Sequence, residues 1–139
     1  MQNTEKNKEV VRKFNKECVE KGNEKVLSEL LSKDFLDRSA LPGNPPGPEG
    51  MVYFINQILR PGIPDITVEI HDQIAEGDKV TTRKTFRGTH LAEFMGIPAT
   101  GDKISIDIVD IARLRDGQYV EHWVVSNLAE VLAQLSAKR

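Results

Sequence analysis

Asp110 and His122 are the two side chains in this 139-residue chain whose types and spacing best suit proton exchange near neutral pH. They lie on the segments ISIDIVDIARLR (104–115) and QYVEHWVVS (118–126), joined through Asp116-Gly117. Both segments alternate apolar with polar residues, which predicts a β-hairpin whose register decides which side chains share a face. A two-residue loop would pair Arg115 with Gln118 and set Asp110 opposite Trp123. A three-residue loop, Arg115-Asp116-Gly117 with Gly117 left-handed, would pair Leu114 with Gln118 and set Asp110 opposite His122. The second register is the one expected. It puts Ile106, Ile108, Asp110 and Ala112 on one apolar face with Val120, His122 and Val124, leaving Asp107, Arg113, Glu121 and Trp123 on the other. Directly opposed side chains stand about 4.5–5.5 Å apart at Cβ, so Asp110 would orient His122 and raise its basicity. A satisfied buried ion pair has the same spacing, and on spacing alone it is the commoner case.

Other candidates carry less. His90, in Gly88-Thr89-His90, reads as a solvated residue at a strand end, and His71 beside Ile70 should face away from the apolar side. Asp37 and Arg38 read as a surface ion pair of little energetic worth, or as groups projecting into a cavity. Cys18 falls on the apolar stripe of a helix and reads as core. Phe94, Met95 and Ile97 form either a pocket lid or a core plug. No pair of histidines has metal-ligand spacing, so neither a metal nor another cofactor is expected.

The elements that must hold these groups follow from the pattern. Val10, Val11, Phe14, Cys18 and Val19 predict an amphipathic helix from Thr4 to about Gly22. A shorter one from Asn23 to Leu31 completes a helical hairpin. SALPGNPPGPEG (39–50), with four prolines and three glycines, must be an irregular loop. Pro48 suits the start of a third helix that carries Met51, Phe54, Ile55, Ile58 and Leu59 inward and ends at PGIPD (61–65). Strands are expected at 66–75 and 79–90 around Glu76-Gly77-Asp78, then at 104–115 and 118–126, before a last helix NLAEVLAQLSAK. Helices first and an antiparallel sheet after them predict an α+β fold forming one domain, 1–139.

Composition excludes some partners. Nineteen Lys and Arg against twenty-one Asp and Glu give a net charge of −2, with no basic stripe for nucleic acid. No apolar run approaches the roughly 20 residues of a membrane span, and MQNTEKNKEVVRKF lacks the apolar stretch of a signal peptide. A single cysteine fits a reducing compartment, so the expected location is the cytoplasm.

GPEG before a helix and PGIPD, then RGTH, FMGIPATGDKISID, RLRDGQYVEHW and LAQL, in this order, resemble the SnoaL-like polyketide cyclase (ester cyclase-like) family of the nuclear-transport-factor-2-like superfamily. The resemblance covers nearly the whole chain. It implies a cone-shaped α+β fold in which helices pack on a curved, mainly antiparallel sheet around an apolar pocket, and a homodimer formed through the open sheet face, here Val109, Ile111, Trp123 and Val125. In the family an aspartate on the last long strand is the acid/base of an intramolecular aldol condensation, assisted by a histidine on the neighbouring strand. Laid on this chain, the aspartate position is Val124, the histidine position is Asp110, and two assisting helix positions are Phe14 and Phe54. Valine cannot move a proton.

What remains is a cofactor-independent lyase, cyclase or isomerase for a small hydrophobic carbonyl or ester compound. Asp110 and His122 would be catalytic, and Phe14, Phe54, Ile108 and Val124 would form the apolar bed. The alternative is a non-catalytic small-molecule binder of the same fold. An epoxide hydrolase ranks last, because Asp107 and Asp110 should point to opposite faces.

Overall fold

The computed structural model describes residues 3–137. Helix α1 (Thr4–Lys13) starts where the Asn3 side chain accepts the Lys6 N–H at 2.9 Å, and continues as a π-helical segment, π1 (Phe14–Glu20). The expected helix is thus present, but its second half is wound more widely. A local cause is visible at Asn15, whose side-chain amide donates to the Val11 carbonyl at 2.9 Å. That oxygen is the one an α-helix would give to Asn15's own N–H. After Gly22, with φ of +68°, α2 (Glu24–Leu30) is capped by Asn23.

Five strands form one mixed sheet in the order β1-β5-β4-β3-β2. They are β1 (Leu31–Asp37), β2 (Thr67–Glu76), β3 (Lys79–Thr89), β4 (Lys103–Arg115) and β5 (Gln118–Ser126). Four match the expected strands. β1 was not expected, because LSKDFLD alternates poorly and its pairing with β5 is interrupted between Leu31 and Leu36. It is the one parallel strand, and it brings Asp37 beside His122.

The hairpin register differs from both alternatives read from the sequence. Asp116 (φ 53°) and Gly117 (φ 78°) make a two-residue turn, so Arg115 pairs with Gln118 and Leu114 with Tyr119. An aspartate tolerates the left-handed region, which makes the tighter turn accessible. The pairing then slips by one residue, with Arg113 opposite Glu121, which leaves Val120 as the extra residue of a β-bulge. Asp110 therefore faces Val124, and His122 faces Ala112. The bulge also resets the alternation. Tyr119, rather than the expected Val120, is buried on the inner face together with His122.

The third helix begins at Pro48 as α3 (Pro48–Tyr53), widens into π2 (Phe54–Leu59) and ends in a last turn, α4 (Arg60–Gly62). Both wide segments start at a phenylalanine that faces the interior. Such segments are frequent at functional sites. Helix α5 (Leu128–Ala137) begins where Ser126 Oγ accepts the Leu128 N–H at 3.2 Å; its expected last residue, Lys138, lies outside the described residues. The helices cover the inner face of the sheet, and Val11, Leu27, Phe35, Ile55 and Ile63 are among the most deeply buried side chains. Among the described residues no helix is long and apolar enough to cross a membrane.

The Pro-rich loop is fixed to the fold through its backbone. Pro46 O accepts the Asp37 N–H at 2.7 Å, and Asn44 Nδ2 donates to Gly50 O at 3.3 Å. A Cβ on Gly50 would stand 1.8 Å from Pro45 O, so only glycine lets the loop lie on α3. Gly50→Ala should lower stability by about 1–3 kcal/mol by forcing backbone apart, measured as the shift of a denaturant midpoint at unchanged slope.

Candidate functional site

The helices and the inner face of the sheet enclose a cavity of about 420 Å³, within the range of small-molecule sites. Phe14 from π1, Phe54 from π2, Ile108 from β4 and Val124 from β5 all line it, as do Phe86, Met95 and Leu132. Its polar groups come from different strands, and five buried or half-buried side chains make one connected chain.

The chain starts at Asn15, whose Oδ1 accepts from Lys84 Nζ at 2.8 Å. Lys84 Nζ also donates to Asp110 Oδ2 at 3.0 Å. The same carboxylate oxygen takes His122 Nε2 at 3.2 Å, and His122 Nδ1 reaches Asp37 Oδ1 at 3.3 Å. The structure thus brings Asp110 and His122 together across a diagonal of the hairpin instead of directly opposite each other. Lys84 sits on β3 opposite Ile108, on the same face as Thr82 and Phe86.

This arrangement fixes charge. Burial pushes the Asp110 carboxyl up, but the Lys84 ammonium and the His122 hydrogen bond outweigh it and hold the group at about 2, below its ordinary 3.8. Burial favours neutral His122, yet the hydrogen bonds to Asp110 and Asp37 prevail and raise its pKa above 6.5. Both its partners are carboxylate oxygens, an arrangement that favours the protonated ring. Burial, helped by the nearby Asp110 charge, drives the Tyr119 phenol well above 10, so it stays a neutral hydroxyl, and its ring stacks on Phe14 at 4.5 Å between centroids.

Two polar members, Asn15 and Lys84, are not among the sequence candidates, and a third, Asp37, takes the second of its two readings, projecting into the cavity. Asn15 lies four residues after Val11 and three before Cys18, on the apolar stripe itself. Lys84 lies on the buried phase of the VTTRKTF alternation, between Thr82 and Phe86, but lysine is almost never buried unless paired, and its partners are remote in sequence. Asp37 does not pair with Arg38, which bonds Glu121 at 2.8 Å instead. The unexpected strand β1 turns Asp37 toward the cavity, and its Oδ1 also accepts the Ser39 N–H at 3.0 Å.

The remaining histidines lie elsewhere. His90 is not a solvated turn residue: it is fully buried, Nε2 donates to Ile97 O at 3.1 Å, and Nδ1 accepts the Thr100 N–H at 3.3 Å. It braces the 91–102 segment, in which Phe94 and Ile97 plug the core while Met95, at φ of +50°, reaches the cavity. His71 stays on the outer face, bonded to Thr85 Oγ1 at 2.7 Å. Burial pushes the Cys18 thiol up to about 12, in keeping with a core residue. No group of three or more potential metal ligands occurs among the described residues.

A curved mixed sheet backed by helices around one apolar cavity is the architecture of the nuclear-transport-factor-2-like cone folds. The chain superposes on TsrD of Streptomyces laurentii with a TM-score of 0.86 at 26% identity, covering 99% of each chain. On IdmH of Streptomyces antibioticus the TM-score is 0.78 at 33% identity, over 94% of this chain and 98% of the other. The aklanonic acid methyl ester cyclase DnrD of Streptomyces peucetius is 24% identical over 108 residues, 76% of this chain and 74% of that protein. The family model of SnoaL-like polyketide cyclases matches residues 9–135, and the chain belongs to that family.

Two measurements check the electrostatics. Asp110→Asn strands the buried Lys84 ammonium and should cost about 3–5 kcal/mol, seen in chemical denaturation. The depressed Asp110 contributes stability that is complete above its unfolded value of 3.8 and lost as pH falls toward about 2. The raised His122 contributes stability that is complete below 6.5 and lost as pH climbs through its raised folded value. Stability should therefore plateau between these limits and fall on both sides, and His122→Gln should flatten the alkaline limb of a Tm-against-pH curve.

Proposed function

We propose that this family member is a cofactor-independent acid/base enzyme acting on a small hydrophobic carbonyl compound, with Asp110 and His122 at the centre of its proton-transferring group. Phe14, Phe54, Ile108 and Val124 supply the apolar bed. The observation that carries this reading is the placement of two carboxylates, an ammonium and an imidazole in the wall of a mostly apolar cavity. Burying ions costs several kcal/mol each, and apolar residues would fill the same wall more stably, so stability alone does not account for them. A buried, internally compensated group of this kind is what proton transfer near neutral pH uses.

The relatives fit such chemistry, since one is a cyclase of a methyl ester substrate by name. One feature favours a second reading, a non-catalytic binding module: Val124 occupies the position where the family's last-strand aspartate is expected. The two separate in deuterium exchange at the carbon next to a carbonyl, followed by NMR over a panel of small β-dicarbonyl compounds. An enzyme accelerates exchange, and His122→Gln lowers that rate by about 10²–10⁴-fold at nearly unchanged affinity. Binding with no acceleration by the wild-type protein would leave the module.

The protein is further proposed to work in the cytoplasm as a homodimer, without nucleic acid. Val109 and Val125 are exposed on the outer face of the sheet, beside Ile111 and Trp123, and would be covered in a pair. Light scattering on a sizing column should give twice the chain mass, and Val125→Glu should give the single mass.

A further inference from the structure

We infer that Asp37, at the end of β1, is the general base that meets the substrate, standing in from an edge strand for the aspartate that the last strand lacks. This rests on the proton-transfer reading above and assigns its atoms.

The assignment follows from which oxygen and nitrogen lone pairs are free. Both His122 ring nitrogens are already engaged, Nε2 with Asp110 and Nδ1 with Asp37. Lys84 is a donor to Asn15 and Asp110. Asp110 Oδ2 already takes two donors, and its Oδ1 is sealed from solvent without a partner. Asp37 differs. Its Oδ1 receives His122 Nδ1 and the Ser39 N–H, while Oδ2 accepts nothing among the described residues, and the carboxylate lines the cavity with 15% of the side chain exposed. It is the one carboxylate of the cluster with an oxygen both unpartnered and open.

Its place is also suitable. Asp37 pairs with His122 across β1 and β5, and Ser39 Oγ accepts the Val124 N–H at 3.0 Å. The Asp37–Ser39 segment therefore runs along the part of β5 that carries Val124. Asp37 thus brings a carboxylate into the cavity from the strand adjacent to β5.

Asp37 is a positioned base, and His122, held by Asp110 and Lys84, is its positioning residue. In the step itself Asp37 Oδ2 takes the proton from the carbon next to a carbonyl. The C–H electron pair becomes the carbon–carbon double bond of an enolate, and the negative charge settles on the carbonyl oxygen. Tyr119 lines the same cavity, and its hydroxyl has no hydrogen-bond partner among the described residues. It can donate to that oxygen. The carboxyl then returns its proton to carbon, so no oxidant or reductant is consumed. A carboxylate is a weak base, which selects carbon acids flanked by two carbonyls.

The test is deuterium exchange at C2 of ethyl 2-methylacetoacetate in D₂O, followed by NMR, for the wild type, Asp37→Asn, Asp37→Glu and the double variant Asp37→Asn/Val124→Asp. Asp37→Asn should slow exchange by about a hundredfold or more. Asp37→Glu keeps a carboxylate for His122 but moves the oxygens by a methylene, and should still lose roughly a hundredfold, with its melting temperature retained. A merely structural Asp37 predicts wild-type rates for the glutamate variant, so exchange within about threefold of wild type there overturns the assignment. The double variant should regain much of the lost rate; failure to do so overturns the claim that Asp37 stands in for position 124. If the wild-type protein itself accelerates nothing, the proton-transfer reading falls first and this one with it.

Discussion

The structure turns on a single buried carboxylate oxygen. Asp110 Oδ2 is the point where a lysine from β3 and a histidine from β5 meet, and neither cation could remain inside without it. A carboxylate in an apolar wall is unfavourable in isolation, and so is an ammonium, but the low dielectric that penalises each alone strengthens their attraction. The rest of the site follows from this compensation. Two carboxylates face His122 and favour its protonated form, Lys84 is steadied by Asn15 on the helix, and mostly apolar residues surround the group.

Much of the frame was legible from period alone. Four strands and all the longer helices fall where alternation and helical spacing place them, because those patterns record which face is buried. The inner-face residues Ile108 and Val124 and the helix residues Phe14 and Phe54 line the cavity from the faces that these patterns make apolar. What failed was the arithmetic of one turn. A one-residue bulge at Val120 is invisible in a pattern that tolerates either phase, and it exchanged Val120 for Tyr119 on the buried face. Asp110 and His122 still meet, since long side chains bridge a diagonal as well as a direct pair.

The polar members of the site were harder to read, for a consistent physical reason. Asn15, Lys84 and Asp37 are each of a type that is ordinarily solvated, and each is buried or half-buried only by a partner far away in the chain. Asp37 and His122 are separated by 85 positions, and Lys84 and Asn15 by 69. Local sequence carries no trace of such compensation. β1 escaped notice for the related reason that its pairing is parallel and broken, so its residues do not show an unbroken two-residue rhythm. His90 shows the same limit, being buried by hydrogen bonds to a loop ten residues on.

The proline-rich stretch before the third helix bears on a different quantity, the entropy of ligand capture. Four prolines with fixed φ, a backbone bond from Asp37 to Pro46, and a glycine pressed against Pro45 leave this rim of the cavity few conformations to lose. A guest lying against this loop would meet a wall already set in its final shape, so little of its binding free energy would be spent on ordering the host. Selectivity would then be governed by the fit of the guest, and a more supple rim would trade that discrimination for breadth.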